Sequence, residues 1–388
     1  MTSFRIKPSL LQIHSVLGLV AALILSLMGV TGAIMAFEDE IQAGLNATLT
    51  HVTPRAEAPL APAELVARLQ ADPALGKISA ITLSRDPSAA ARIRFARNDA
   101  GGRPSSLLVD PYDGRVLGEP RGETFFETVR HLHRWLLLPG DGNGAGRQIT
   151  GAAVLGLLVL LITGIVLRWP KRASSAKLWL KPQLGLRGRG LHRSLHSVIG
   201  TWVLPVYLVI ALTGLSYSYA WYKDGLTWLL ALSRAPMAAK APREGRSEAA
   251  DAKTVSLDRV WTTVREQIGD RFAVMQLTLP VGGGAVRVRA WPSEDHDGRR
   301  DEFRIDGATG RLISADRYAD KTTGERVLAR ILDIHRGSIL GWPGQLVFML
   351  SAALMPLFAV TGVLLYLSRR RLRRPRPMAQ TIQLVPGE

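Results

Sequence analysis

Residues 14–32 read HSVLGLVAALILSLMGVTG, and residues 196–214 read HSVIGTWVLPVYLVIALTG. The two stretches share a histidine, a glycine four positions later and a Thr-Gly pair at positions +17 and +18, without a gap. Both lack Asp, Glu, Lys and Arg, and a bilayer core needs about 20 such apolar residues. A duplicated apolar stretch of this length predicts a membrane protein that contains two copies of one unit.

Two further apolar stretches complete a set of four. We expect transmembrane helices at 13–37, 147–169, 194–222 and 343–368. The first is expected to be retained, because its apolar run is too long for a signal peptide and ends without a small-x-small cleavage site. The even-numbered spans also repeat: LHR at 132–134 precedes a span that contains Thr163-Gly164, and IHR at 334–336 precedes one that contains Thr361-Gly362.

The long segments between the spans predict a repeated small module. In the first, a helix-like run at 63–71 precedes strand-like runs at 78–83, 91–96 and 106–110 and the turn DPYDGRVLG. In the second, a helix-like run at 257–268 precedes strand-like runs at 273–279, 285–291 and 302–306 and the turn DGATGRLIS. Segments 48–62 and 235–253 read as linkers. The expected fold class is a membrane α-helical protein with four transmembrane helices in two span–module–span units, and two small α+β modules outside the membrane.

The charge distribution predicts the orientation. The chain carries a net charge of +17 and no Cys. Segments 1–12, 168–193 and 369–388 hold 16 basic residues and one acid, whereas 38–146 and 223–336 have net charges of −2 and +3. By the positive-inside rule, 1–12, 170–193 and 369–388 are cytoplasmic, and 38–146 and 223–342 lie on the other side. The basic flanks are expected to contact membrane lipid, and their position excludes nucleic acid as a partner.

Four of the eight histidines occupy equivalent positions in the two copies, and the orientation places one pair at each membrane face. A pair at each face is what bis-imidazole ligation of a haem iron between spans requires. A zinc site would need further ligands, which the repeat does not supply. Without Cys, thiolate sites and c-type haem attachment are excluded. The pairs are His14 with His196 at the cytoplasmic face, and His133 with His335 at the outer face.

Glycines recur on the histidine face of these helices. At about 100° per residue, position +4 lies close to the histidine azimuth and position +18 returns to it. A flat macrocycle against a helix leaves no room for a large side chain, so we expect the glycine at +4 to provide that room. Each Thr-Gly is expected to clear space for the macrocycle that the opposite pair holds. The predicted glycines are Gly18, Gly32, Gly200 and Gly214.

Several alternatives remain open at this point. His131 and His192 could replace His133 and His196 if either segment is shifted. Arg134 and Arg336 directly follow histidines and could pair with haem propionates, or could instead anchor lipid headgroups. The histidines themselves could be interfacial polar residues, and the glycines could be helix-packing positions. His51 and His296 fall in linker or loop sequence and are expected to be solvated.

These motifs together resemble the PepSY-associated transmembrane (PepSY-TM) family. HSVLG…TG, LHR…TG, HSVIG…TG and IHR…TG alternate with modules that end in VDPYDGRVLG and IDGATGRLIS, and the resemblance covers nearly the whole chain. Members include iron-regulated, multi-pass proteins of the bacterial inner membrane that reduce ferric siderophores with b-type haem. The resemblance implies periplasmic modules, two haem b groups and an oxidoreductase that reduces ferric siderophore. It places the haem irons on the histidine pairs named above.

The resemblance also implies the direction of the reaction: electrons cross from the cytoplasmic side and reduce the siderophore iron, which is released as Fe(II). No nucleotide-binding motif is present, and the cytoplasmic segments are too short for a flavin domain. The expected electron donor is therefore a quinol or a separate cytoplasmic reductase. Two other functions remain open: a non-enzymatic PepSY regulator of periplasmic peptidases, and a haem electron carrier to a periplasmic protein.

Overall fold

The computed structural model describes residues 6–72, 75–96, 105–169, 174–230, 255–280, 282–294 and 297–373. The predicted linker 235–253, His296 and the tail beyond 373 lie outside the described residues. The helices are α1 Ile6–Met35, α2 Glu38–Leu45, α3 Pro62–Gln70, α4 Glu123–Trp135, α5 Ala145–Arg168, α6 Ala176–Leu180, α7 Arg189–Ser218, α8 Ala220–Leu230, α9 Leu257–Ile268, α10 Thr323–Ala329, α11 Ile331–Arg336, α12 Gly341–Ala353 and α13 Met355–Arg373. The strands are β1 Ile78–Ser84, β2 Ala91–Phe95, β3 Ser106–Val109, β4 Val116–Gly118, β5 Val274–Thr278, β6 Ala285–Trp291, β7 Asp301–Asp306 and β8 Leu312–Asp316.

The chain divides into two compact units. The membrane unit comprises Met1–Ala33, Leu132–Gly214 and Phe348–Glu388, and the sheet unit comprises Ile34–His131 and Leu215–Val347. Within the described part of the chain, four helical stretches are long and apolar enough to cross a membrane: Lys7–Met35, Ala145–Arg168, Arg189–Ser218 and Ser338–Leu372. Four apolar spans therefore stand in the structure where the sequence predicts them.

The helix ends differ from the predicted spans. Helix α1 begins at Ile6 rather than residue 13, α5 at Ala145 rather than 147, and α7 at Arg189 rather than 194; α7 ends at Ser218 rather than 222. A helix satisfies its backbone hydrogen bonds internally, so it continues into flanking polar residues where the apolar pattern has already stopped.

The fourth span is interrupted, which corrects the single helix predicted at 343–368. Helix α12 ends at Ala353 and α13 begins at Met355. Pro356 causes the break, because its ring has no N–H for the carbonyl of Ala352 and clashes with that carbonyl. One turn earlier, the carbonyl of Ser351 accepts a hydrogen bond of 2.7 Å from the Tyr207 hydroxyl.

The strands of the sheet unit form one antiparallel sheet in the order β4-β3-β2-β1-β5-β6-β7-β8. The two predicted modules therefore share a sheet, whereas the sequence suggested two separate domains. They join where β1 pairs with β5, with Ile81 opposite Leu277. Each four-stranded half would otherwise leave an edge strand with unpaired N–H and C=O groups. The hydrogen bonds between β1 and β5 pair these groups on both strands.

One face of the sheet packs against α3 and α9. Alternate strand residues such as Ile81, Ile93 and Val109 point to this face and contact Leu65 of α3. In the other half Val260 of α9 contacts the same face. Because side chains alternate along a strand, the residues between them point to the opposite face.

Two local predictions also need correction. The turns DPYDGRVLG and DGATGRLIS each continue into a short strand, β4 or β8, which extends the sheet at its outer edges. The predicted linker 48–62 is held against the module, because Arg55 forms ion pairs with Asp110 and Asp113 at 2.8 and 2.7 Å. An irregular segment can be fixed by side-chain contacts that composition does not reveal.

Candidate functional site

The rings of His14 and His196 lie close together in the membrane unit. Their centroids are 6.3 Å apart, and their planes are inclined at 74°. His14 lies on α1 and His196 on α7, the two helices that carry the duplicated sequence. The structure therefore juxtaposes the two histidines that were predicted to share a metal.

Both histidines hydrogen-bond to a threonine on a neighbouring helix. Nδ1 of His14 lies 2.8 Å from Oγ1 of Thr163 on α5. Nδ1 of His196 lies 2.8 Å from Oγ1 of Thr361 on α13. The two contacts are equivalent, since each joins the histidine of one span to the Thr-Gly pair of the next.

The threonine contact assigns the tautomer of each ring. The hydroxyl of Thr163 donates to the carbonyl of Val159 at 2.7 Å, and that of Thr361 donates to the carbonyl of Leu357 at 2.6 Å. A hydroxyl has a single hydrogen, so toward the histidine its oxygen accepts, and Nδ1 carries the proton. The lone pair is then on Nε2, which is the nitrogen available for a metal.

His133 repeats this arrangement with α1. Its Nδ1 lies 2.9 Å from Oγ1 of Thr31, whose hydroxyl donates to the carbonyl of Leu27 at 2.7 Å. Burial lowers the pKa of His133 to about 4. The ring is therefore neutral at physiological pH, which is the state that binds metals.

In three of the four Thr-Gly pairs, the glycine lies beside the imidazole that its threonine contacts. A Cβ added to Gly32 would lie 3.3 Å from Cε1 of His133, and one added to Gly164 would lie 3.5 Å from Cε1 of His14. The corresponding distance from Gly362 to Cε1 of His196 is 3.7 Å. These glycines let a threonine and an imidazole approach across two helices. The repeat in the sequence predicts a role for the glycine of the pair, but only the structure shows the contact that the threonine makes.

The glycines at +4 contact ordinary side chains. A Cβ on Gly18 would lie 3.7 Å from Leu160, and one on Gly200 would lie 3.5 Å from the ring of Phe358. Both are van der Waals distances. Their predicted role beside a macrocycle, and that of Gly214, stays a prediction.

The geometry of the pair fits a metal ion held by two imidazoles. A metal–nitrogen bond of about 2 Å on each side, with roughly 1 Å from nitrogen to ring centre, places the centroids about 6 Å apart. Two aromatic rings in edge contact span the same range, so the distance alone does not identify a metal. The threonines add the second requirement, because they hold Nδ1 and leave Nε2 for a ligand. Among the described residues, no group of three or more His, Asp or Glu side chains could hold a metal.

Aromatic side chains extend from this pair along the membrane unit. The ring of Phe358 lies 5.5 Å from that of His196, and the ring of Tyr207 lies 5.8 Å from that of Phe358. Tyr207 is buried. The environment of the histidine pair is thus apolar on this side, which limits access of water.

The other predicted site residues fall into both units. His335 belongs to the sheet unit, where its ring lies 6.1 Å from that of Tyr217. His133 belongs to the membrane unit, so the pairing of His133 with His335 stays a prediction. The guanidinium of Arg134 packs 4.7 Å from the ring centre of Trp135, and that of Arg336 binds Asp39 at 3.1 Å.

The two alternative ligands occupy different surroundings. Nε2 of His131 lies 3.9 Å from a carboxylate oxygen of Glu127, one turn away on the same helix. His192 lies one turn before His196 on α7. The threonine contacts are made by His133 and His196, and the choice between these histidines and the two alternatives stays a prediction.

Comparison with known families gives one match. The model of a family described as the PepSY-associated TM region matches residues 11–369, nearly the whole chain. Comparison with curated proteins gives no match. The matched range contains every histidine and threonine described above.

Proposed function

The chain belongs to the PepSY-associated TM family, and from this premise we propose that it is a haem-containing reductase of the bacterial inner membrane. It takes electrons on the cytoplasmic side and reduces ferric siderophore in the periplasm, which releases Fe(II). The observation that carries the proposal is the approach of His14 and His196 to 6.3 Å with each Nδ1 bound by a threonine. A regulator that used its spans only as anchors would have no need of this arrangement.

The proposed architecture follows the two sequence copies. Each copy contributes one histidine to a cytoplasmic-side pair and one to a periplasmic-side pair, so the chain holds two haem b groups. Both termini are cytoplasmic, both modules are periplasmic, and the donor is a quinol or a separate reductase. The positive-inside distribution of Lys and Arg supports this orientation.

The residues of the chain have separate roles in this proposal. A bound haem supplies one-electron transfer, which no side chain of this protein offers. His14 and His196 would hold the haem iron through Nε2, while Thr163 and Thr361 hold the rings in one tautomer and orientation. The glycine beside each threonine has no side chain, so the helices can approach closely enough for the hydrogen bond between threonine and histidine.

The proposed reaction is tested by anaerobic spectroscopy of the full chain in detergent. We expect a Soret and an α band after dithionite reduction, and a haem content of about two per chain. Removal of dithionite and addition of a ferric siderophore should reoxidise the protein and release Fe(II), which a ferrous chelator traps. The gallium(III) form of the same siderophore is the control, because gallium accepts no electron under these conditions.

Other outcomes of this experiment identify the other functions. Reduced haem that ferric siderophore does not reoxidise, but that a periplasmic redox protein does, would identify an electron carrier. Protein that binds no haem even when haem is supplied during expression would contradict both electron-transfer functions and leave the regulator.

Replacement of Thr361 by valine tests the positioning role. Valine keeps the shape but removes the acceptor for Nδ1 of His196, so the tautomer and ring orientation are no longer fixed. We expect a 10–100-fold weaker haem affinity at this pair, as is typical of lost outer hydrogen bonds to metal ligands, and a shifted midpoint potential. Thr361→Ser, which retains the hydroxyl, should restore both values. If the valine variant and the unmodified protein have the same haem affinity and midpoint potential, the threonine contributes only packing.

A further inference from the structure

The face of the sheet opposite α3 and α9 carries four arginines in a regular arrangement. Arg92 and Arg94 lie on β2, and Arg287 and Arg289 lie on β6. In each strand the arginines alternate with apolar residues that point into the core. We call these four residues the arginine frame.

Strand register fixes the shape of the frame. In one row across the sheet, Arg92 lies opposite Thr82 of β1, which lies opposite Gln276 of β5, which lies opposite Arg289. A row two residues further along begins at Arg94 and crosses Ala80 and Thr278 before it reaches Arg287.

The dimensions of the frame follow from sheet geometry. Three strand spacings of about 4.8 Å separate the arginines of a row by about 14 Å, and the two rows lie about 7 Å apart. The floor between them consists of small or neutral side chains: Ala80, Thr82, Gln276 and Thr278. Ala80 is buried, whereas Thr82, Gln276 and Thr278 are partly exposed, so a compact ligand could contact these three with guanidinium groups around it.

Two members of the frame have acidic partners. Arg289 binds Glu302 at 3.0 Å, and Arg94 lies 3.9 Å from Glu123. Two other acids near the frame, Asp39 and Asp333, are each bound by another arginine, Arg336 or Arg330. The nearby carboxylates therefore neutralise the frame only in part.

The remaining two arginines form no close ion pair with a described residue, although the carboxylates of Glu123 and Asp39 lie near Arg92. Arg92 and Arg287 form no side-chain ion pair or hydrogen bond with a described residue, and the same holds for Arg300 beside them. Burial lowers the pKa of Arg92 and of Arg300, which records the cost of keeping these cations from water. Arg92 is half-buried and Arg287 is exposed, and neither guanidinium forms an ion pair with a described carboxylate, so both can pair with a bound anion.

We propose that the arginine frame binds an anionic ferric chelate, such as a tris-catecholate, as the substrate of the proposed reductase. Arginine groups on both sides of a neutral floor would pair with the outer oxygens of the chelate. The inference rests on the proposed function for the identity of the metal. Binding to the frame itself needs neither haem nor electron transfer.

The test measures binding of redox-inert gallium(III) chelates to the full chain in detergent by isothermal titration. The probes are a gallium tris-catecholate, which is a trianion, and a gallium tris-hydroxamate, which is neutral. We expect the trianion to bind, and the double variant Arg92→Gln/Arg287→Gln to weaken its affinity at least tenfold. Binding of the neutral chelate should be weak and unchanged. The control is Arg68→Gln on α3, which removes a positive charge from the opposite side of the sheet.

A second measurement does not depend on the variant folding. On the unmodified protein, salt raised from about 0.05 M to about 0.5 M should weaken binding of the trianion but not of the neutral chelate. Equal effects of Arg68→Gln and the double variant, or no salt-dependent binding of the trianion, would overturn the proposal. His196→Ala protein should bind the trianion normally, so loss of haem and loss of the anion site are distinguishable.

Discussion

Replacement of His196 by alanine is expected to lower the haem content from about two per chain to about one. Alanine removes the ring whose centroid lies 6.3 Å from that of His14, so only one imidazole of the pair would remain to hold a haem. The periplasmic-side pair is separate in sequence and should retain its haem. The double variant with His133→Ala should retain none.

The measurement is a pyridine haemochrome count together with the reduced spectrum of purified protein. His51→Ala is the matched control, because His51 is exposed and belongs to the sheet unit. We expect that control to keep the full haem content. An unchanged count and spectrum in His196→Ala would remove His196 from the ligand set, and the proposed function would lose the observation that carries it.

Replacement of Gly29 by alanine is expected to destabilise the membrane unit by about 3 kcal/mol, the upper end of the usual cost of overpacking. A Cβ at Gly29 would lie 2.5 Å from Cβ of Met355 and 2.6 Å from the carbonyl oxygen of Ala352. Neither atom is the flexible end of a side chain, so α1 and the interrupted fourth span would have to separate. The carbonyl of Ala352 is the one whose hydrogen bond Pro356 removes, so the close approach and the helix break occur at the same place.

The stability is measured as the midpoint of unfolding when dodecyl sulfate is added to protein in mild detergent. Gly225→Ala in α8 is the control with the same chemical change, since a Cβ there meets no atom within 4 Å. Alanine has the higher helix propensity, so this control should be more stable by up to about 1 kcal/mol. If the midpoint of unfolding shifts in the same direction in both variants, close packing at Gly29 does not limit the stability of the protein.

The sequence determined much of the local structure. The strand-like run predicted at 285–291 is the observed strand Ala285–Trp291, and the helix-like run predicted at 257–268 is the observed helix Leu257–Ile268. Apolar length located the four spans. These features depend on residues that are close in the chain, so their pattern is visible in one sequence.

The break in the fourth span was predictable in principle, because Pro356 interrupts an otherwise continuous apolar run. The exact ends of the other spans were not, since hydropathy marks where the bilayer core ends and the helix can continue beyond it. The histidines were recognised as candidate ligands from the repeat. The threonines that orient them were not, because each contact joins two different helices.

The amino-acid sequence by itself therefore determined which residues repeat, which segments are helix or strand, and which side chains could serve as ligands. Only the tertiary structure decided that β1 pairs with β5, that Thr361 bonds to His196, and that Arg92 and Arg289 share one row. Each of these three relations joins residues more than 160 positions apart in the chain. Edge strands pair with any compatible partner and a hydroxyl bonds to whichever acceptor or donor the packing brings near, so no local pattern specifies such contacts.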